Sequence, residues 1–123
     1  MLEQLLHLVA TWQLQYKTFA LIDGSFDILD IHSIQSLNEA AKNVDFLIVA
    51  IHSDASVKQS QNLINNENDR ALVVANLLQT DAVIIIDKEA FSNIVDALQP
   101  HIAVTETLRG KQLYADKNSS LHS

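Results

Sequence analysis

The chain has 123 residues, about half of them apolar, enough to bury one core and the size of one ordinary domain. It carries 15 acidic residues against 8 basic ones, a net charge of −7 with no basic run, which excludes a binder of the nucleic-acid backbone. It has no cysteine, which excludes disulfides, thiolate metal sites and cysteine nucleophiles.

Residues Leu2 to Tyr16 place Leu2, Leu5, Leu6, Val9, Trp12 and Tyr16 at helical spacing, so a helix is predicted with Trp12 and Tyr16 in the core. Phe19-Ala20-Leu21-Ile22 is a continuous apolar run, the pattern of a strand buried on both faces. It runs into Asp23-Gly24-Ser25-Phe26-Asp27, where Gly24 permits a sharp turn. Ser33 to Asn43 reads as a helix with Ser33 as its N-cap and Ile34, Leu37, Ala40 and Ala41 inward. Phe46 to Ile51 is a second buried strand, followed by a polar connection from Ser53 to Asn66. Glu67 to Gln79 is predicted helical with Leu72, Val74, Ala75 and Leu78 inward, and Ala82 to Ile86 forms a third strand. Asp87 is placed to cap a helix bearing Phe91, Ile94, Val95 and Leu98, which Pro100 stops. Ile102-Ala103-Val104 supplies a short fourth strand. The expected domain runs over 1–113, with a polar tail over 114–123.

Strands alternating with helices imply a single Rossmann-like, doubly wound α/β domain with a parallel sheet and right-handed crossovers. Ligands of such sheets bind beyond the carboxyl ends of the strands, where the strand order reverses. No apolar stretch reaches the ~20 residues of a membrane helix, and Met1-Leu2-Glu3 does not open a signal peptide. A cytoplasmic protein with no membrane partner is therefore expected. Gly24 and Gly110 are the only glycines, few for a site that cradles phosphates on backbone amides.

Asp23-Gly24-Ser25-Phe26-Asp27-Ile28-Leu29, followed by His52-Ser53-Asp54-Ala55-Ser56-Val57, resembles the cytidylyltransferase-like nucleotidyltransferases. Within that family the nucleotidyltransferase domain of ADP-heptose synthase is the nearer match and glycerol-3-phosphate cytidylyltransferase the more distant one. Asp69-Arg70, Thr80-Asp81-Ala82-Val83 and Ala97-Leu98-Gln99-Pro100 extend the likeness over nearly the whole chain. The resemblance implies transfer of a nucleotidyl group to a sugar or polyol phosphate. It also implies a nucleotide site at Gly24, Ser25, Phe26, Asp27, Ser53, Asp54 and Arg70, with magnesium only alongside a bound nucleoside triphosphate. Family members commonly pair, so a homodimer is expected.

The family's H-x-G-H motif, whose histidines contact the phosphates, reads here Asp30-Ile31-His32-Ser33. The family's lysine-glycine loop corresponds to Lys58-Gln59-Ser60-Gln61-Asn62-Leu63, and its K-G-G-D-Y segment to Thr105-Glu106-Thr107-Leu108-Arg109. The serine- and threonine-rich C-terminal stretch of the cytidylyltransferases is absent. Each lost charge-neutralising group removes transition-state stabilisation. The expectation is a catalytically inactive binding or regulatory module with weak nucleotide affinity at most and a protein partner that the sequence does not name. Arg70 is the retained cation suited to phosphate, against a surface salt bridge to Asp69 or Glu67. The alternative is an active nucleotidyltransferase whose site is rebuilt from His32, His52, Lys58 and Arg70. A third reading gathers Asp23, Asp27, Asp30, His32, His52 and Asp54 around a divalent metal as a phosphohydrolase, set against the plainer one in which Asp27 and Asp54 bond loop amides. A Ser25–His32–aspartate triad lacks a nucleophile elbow. His7 and His101 read as surface or packing residues.

Overall fold

The structure is a computed structural model and describes residues 2–57, 63–105 and 112–114, the last three through their backbone. The chain order is α1 (Leu2–Leu14), β1 (Phe19–Gly24), α2 (Ile31–Ala41), β2 (Phe46–His52), α3 (Asp54–Val57) and α4 (Glu67–Ala75). There follow β3 (Ala82–Ile86), a single 3-10 turn (Lys88–Ala90), α5 (Phe91–Leu98), β4 (Ile102–Thr105) and β5 (Gln112–Tyr114). The sheet order is β3-β2-β1-β4-β5, with the first four strands parallel and β5 antiparallel to β4. The four expected strands are present. The fifth was not expected, and it takes in Tyr114, the first residue of the expected tail.

Side chains alternate between the two faces of the sheet, as the two-residue strand period requires. One face packs Phe19, Leu21, Ile48, Ala50, Ile84, Ile86 and Ala103 against Leu5, Val9 and Trp12 of α1 and Phe91, Ile94 and Leu98 of α5. The other packs Ala20, Ile22, Leu47, Val49, Ile51 and Val104 against Leu37 and Ala40 of α2 and Val74 of α4. Trp12 stacks on Phe46 with ring centroids 4.3 Å apart and planes 8° from parallel. The amino ends of the strands are held by side chains just ahead of their neighbours. The Thr18 amide donates to Asp45 Oδ2 (2.8 Å), the Leu47 amide to Asp81 Oδ2 (2.8 Å) and the Phe19 amide to His101 Nδ1 (3.2 Å). His101 is thus a packing residue, set edge-on to Phe19, and His7 is exposed.

Four sequence expectations need correction. Tyr16 is exposed rather than buried, because it takes the left-handed φ of 58° that ends α1 and breaks the stripe. The N-cap of α2 is Asp30, not Ser33, so the helix starts two residues early. α4 stops at Ala75 rather than Gln79, where the Asn76 amide bonds back to Val73 and Val74 and its side chain to the Leu72 carbonyl. Its inward stripe is Arg70 and Val74, while Leu72, Ala75 and Leu78 face out. Finally, Asp87 makes no side-chain cap; its carboxylate turns to β2 and accepts the Ser53 hydroxyl at 2.6 Å. The expected polar connection from Ser53 to Asn66 also contains the short helix α3.

Candidate functional site

The strand order reverses at β1: β2 and β3 lie on one side of it and β4 on the other. A crevice at the carboxyl ends of β1 and β4 follows from that reversal. Gly24 closes β1 and is buried, and Ser25 is half-buried. Phe26 in this loop takes a left-handed conformation (φ 49°). A left-handed conformation costs a residue with a Cβ about 1–2 kcal/mol, and burial of the Phe26 ring in the α2/α4 core offsets it.

Asp27 reaches across to the segment ahead of α4. Its carboxylate accepts the Ile64 and Asn65 amides, each at 2.8 Å, while the Asn65 side chain donates to the Asp27 carbonyl. Burial pushes this carboxyl up, but the two amides, the Asn65 side chain and Arg70 outweigh it and hold it below its ordinary value. Asp30 accepts both the amide (3.0 Å) and the hydroxyl (3.2 Å) of Ser33. The Ser33 amide lowers its pKa, with help from the Ser33 hydroxyl and His32 and against an opposing push from burial. Asp45 is lowered by the Thr18 amide against burial, with further help from the Thr18 hydroxyl, Lys17 and His101.

A group whose folded pKa lies below its unfolded value contributes stability that is present above the unfolded pKa and lost as pH falls through the folded one. Asp27, Asp30 and Asp45 all have this sign, so the urea midpoint should drop as pH falls below about 4. Asp27→Asn should flatten that slope; an unchanged slope would mean that the Asp27 carboxylate adds nothing to stability.

Arg70 projects from α4 into the space beneath these loops and is 1% exposed. Nε donates to the Asn65 carbonyl (3.0 Å), Nη1 to the Ser25 (2.7 Å) and His52 (2.8 Å) carbonyls, and Nη2 to Asp54 Oδ1 (2.6 Å). It is therefore neither a surface ion pair with Asp69 or Glu67 nor a guanidinium open to solvent. Four of its five N–H donors are committed to the loops after β1 and β2 and to the segment before α4. Asp54 faces Arg70 with its carboxylate rather than loop amides, and its own amide donates to Glu67 Oε1 at 2.9 Å.

Below the crevice, on the sheet face covered by α1 and α5, His52 Nε2 lies 2.7 Å from Asp23 Oδ2, with both side chains buried. Asp23 Oδ1 and His52 Nδ1 have no protein partner. These two residues belong to the strands, whereas His32 is exposed on the first turn of α2, so the expected six-residue cluster is split between a buried pair and a surface loop. Among the described residues, no group of three or more His, Asp or Glu side chains is arranged to hold a metal. Among them also, no hydrogen bond joins Ser25 to His32. Lys58, Glu106 and Arg109 lie outside the described residues.

The cytidylyltransferase-like family profile matches residues 21–119, from β1 to beyond β5. The chain belongs to the cytidylyltransferase-like family. Its cytidylyltransferase-like relatives include the bifunctional protein HldE of Koribacter versatilis, 35% identical over 104 residues, covering 82% of this chain and 21% of that protein. The bifunctional protein HldE of Campylobacter fetus is 37% identical over 91 residues, covering 72% of this chain and 20% of that protein. The chain thus spans about a fifth of the length of these HldE relatives. A crystal structure of the lipopolysaccharide core biosynthesis protein from Thermoplasma volcanium superposes with a TM-score of 0.67 at 26% identity, covering 72% of this chain and 73% of that one. No helix among the described residues is long and apolar enough to cross a membrane.

Within this cytidylyltransferase-like frame, Gly24 ends β1 and Ser25, Phe26 and Asp27 follow it, while Ser53 and Asp54 lead from β2 into α3. Arg70 ties the two together. Sequence reasoning missed Asn65, the role of Glu67 as acceptor of the Asp54 amide, and Asp87 as partners of that assembly. The Asn66-x-x-Asp69 spacing was the available signal for the first two, since Asn66 caps α4 by accepting the Asp69 amide at 2.8 Å. That cap fixes where the preceding segment meets the crevice.

Proposed function

We propose that this protein is a non-catalytic member of its family, a binding or regulatory module with weak nucleotide affinity at most. The observation that carries this reading is the Asp30 carboxylate at the amino end of α2. The first turn of a helix offers unpaired amides and a positive dipole end, the ready-made seat for a phosphate. Here a side chain of the protein itself accepts the Ser33 amide, at the position where the family's motif has its first histidine. A nucleoside triphosphate would have to displace or face that carboxylate, and Asp27 lies three residues away with its pKa also lowered. Arg70, the retained cation, supports the same reading because its donors hold carbonyls and Asp54.

The test is pyrophosphate release from ATP and CTP, with magnesium, against sugar and polyol phosphates including heptose 1-phosphate. The wild-type chain should fall well below the ordinary enzyme range of roughly one turnover per second. The triple variant Asp30→His/His32→Gly/Ser33→His rebuilds the motif and should bind ATP or CTP about tenfold more tightly by calorimetry, since it removes a like charge and adds donors. Wild-type turnover in the enzyme range, abolished by His32→Ala, would establish instead a site rebuilt around His32.

A further inference from the structure

We infer that Ile28, Ile31 and Ile64, bordered by Asp27 and Asp30, form a docking surface for a protein segment that is both apolar and basic. This rests on the non-catalytic reading above and specifies the partner. The three isoleucines are 61%, 67% and 71% exposed. They sit close together along the backbone: Ile64 donates its amide to Asp27 Oδ2, Ile28 follows Asp27, and Ile31 opens α2 directly after Asp30. Single exposed apolar side chains are ordinary on protein surfaces, but several at one ligand-binding end of a sheet mark a contact surface.

Charge selects the occupant. Asp27 and Asp30 are both held ionised by backbone amides, and their charges flank the isoleucines. A lysine- or arginine-bearing apolar segment complements that rim and gains in encounter rate and register. A second copy would bring a second set of these carboxylates into the same interface, and an anionic lipid surface would also be repelled.

The experiment uses the full chain and three fluorescent peptides of equal length, read by anisotropy: an amphipathic Lys–Leu peptide, a Lys–Ser peptide and an amphipathic Glu–Leu peptide. The Lys–Leu peptide should bind about tenfold more tightly than either of the others, because only it matches both the apolar surface and the charge. Ile31→Ser and Ile64→Ser should each weaken it several-fold. Asp30→Ser, which keeps a capping oxygen but removes the charge, should weaken it and reduce its salt dependence. Leu78→Ser should leave it unchanged, since Leu78 is more exposed than any of the three but lies ahead of β3, at the amino end of the sheet. Equal affinity for the Lys–Ser peptide, or indifference to the isoleucine substitutions, would overturn the proposal. So would a sedimenting dimer that Ile31→Ser dissociates, because the occupant would then be a second copy. Pyrophosphate release on the same samples separates the two readings: turnover overturns the non-catalytic one, whereas lost peptide selectivity without turnover overturns only the docking surface.

Discussion

Replacing Arg70 with methionine should lower the stability of the domain by about 3–5 kcal/mol, the usual loss when one member of a buried charged network is removed. Methionine keeps much of the stem volume, so the loss isolates the guanidinium. Its removal strands the buried His52 carbonyl, at about 1–3 kcal/mol for a buried acceptor left unpaired, and loses the part-buried contacts to the Ser25 and Asn65 carbonyls at a smaller cost. Asp54 contributes less, because its side chain is 41% exposed and water can solvate the freed carboxylate. Asp54→Asn should therefore cost only about 1 kcal/mol, within the range of partly exposed pairs. Arg70→Lys should fall between the two, since one ammonium cannot span acceptors on three separate segments. Urea unfolding gives the magnitudes. Amide exchange should show the earliest opening over 63–66 and around Ser25, the segments that Arg70 joins. A loss below about 1 kcal/mol for Arg70→Met would place the residue among ordinary surface ion pairs and free it for a phosphate role.

Arg70 also explains where the sequence could be read and where it could not. The strands were legible because a parallel sheet covered on both faces demands continuous apolar runs, and Phe19–Ile22, Phe46–Ile51 and Ala82–Ile86 supply them. The inward face of α4 was not, because a residue that is nearly always exposed occupies its centre. With Arg70 assigned to solvent, the apolar stripe shifts onto Leu72, Ala75 and Leu78, three residues that face out. A buried arginine becomes predictable only when its acceptors are known, and these come from residues 16 to 45 positions away in the chain as well as from nearby Asn65. The cap of α2 failed for a local reason: Asp30 and Ser33 are both good N-caps, and spacing alone does not choose between them. The structure chooses Asp30 and makes Ser33 its donor, so a carboxylate of the protein itself caps this helix end.

Asp23 and His52 carry the second large expectation. Each ends or nearly ends an apolar strand, and their side chains meet within the core face of the sheet. Removing one partner leaves the other polar group buried and without its partner, so Asp23→Leu and His52→Leu should each cost about 3–5 kcal/mol. The double variant should behave differently. Leucine suits both positions by size and polarity, and replacing a buried polar pair by apolar residues is often neutral or stabilising by about 1–4 kcal/mol. No protein group pairs with Asp23 Oδ1 or His52 Nδ1, and leucines at both positions remove the need to satisfy them, which makes this outcome stronger here. Urea unfolding of the wild type, both single variants and the double variant closes the cycle and should give a coupling energy of at least about 2 kcal/mol. A double variant as unstable as the two losses added together would mean that the residues act independently and that their 2.7 Å contact contributes nothing. Recovery in the double variant would instead mean that the pair weakens the fold beneath the crevice, and that the apolar core alone is sufficient to build this sheet.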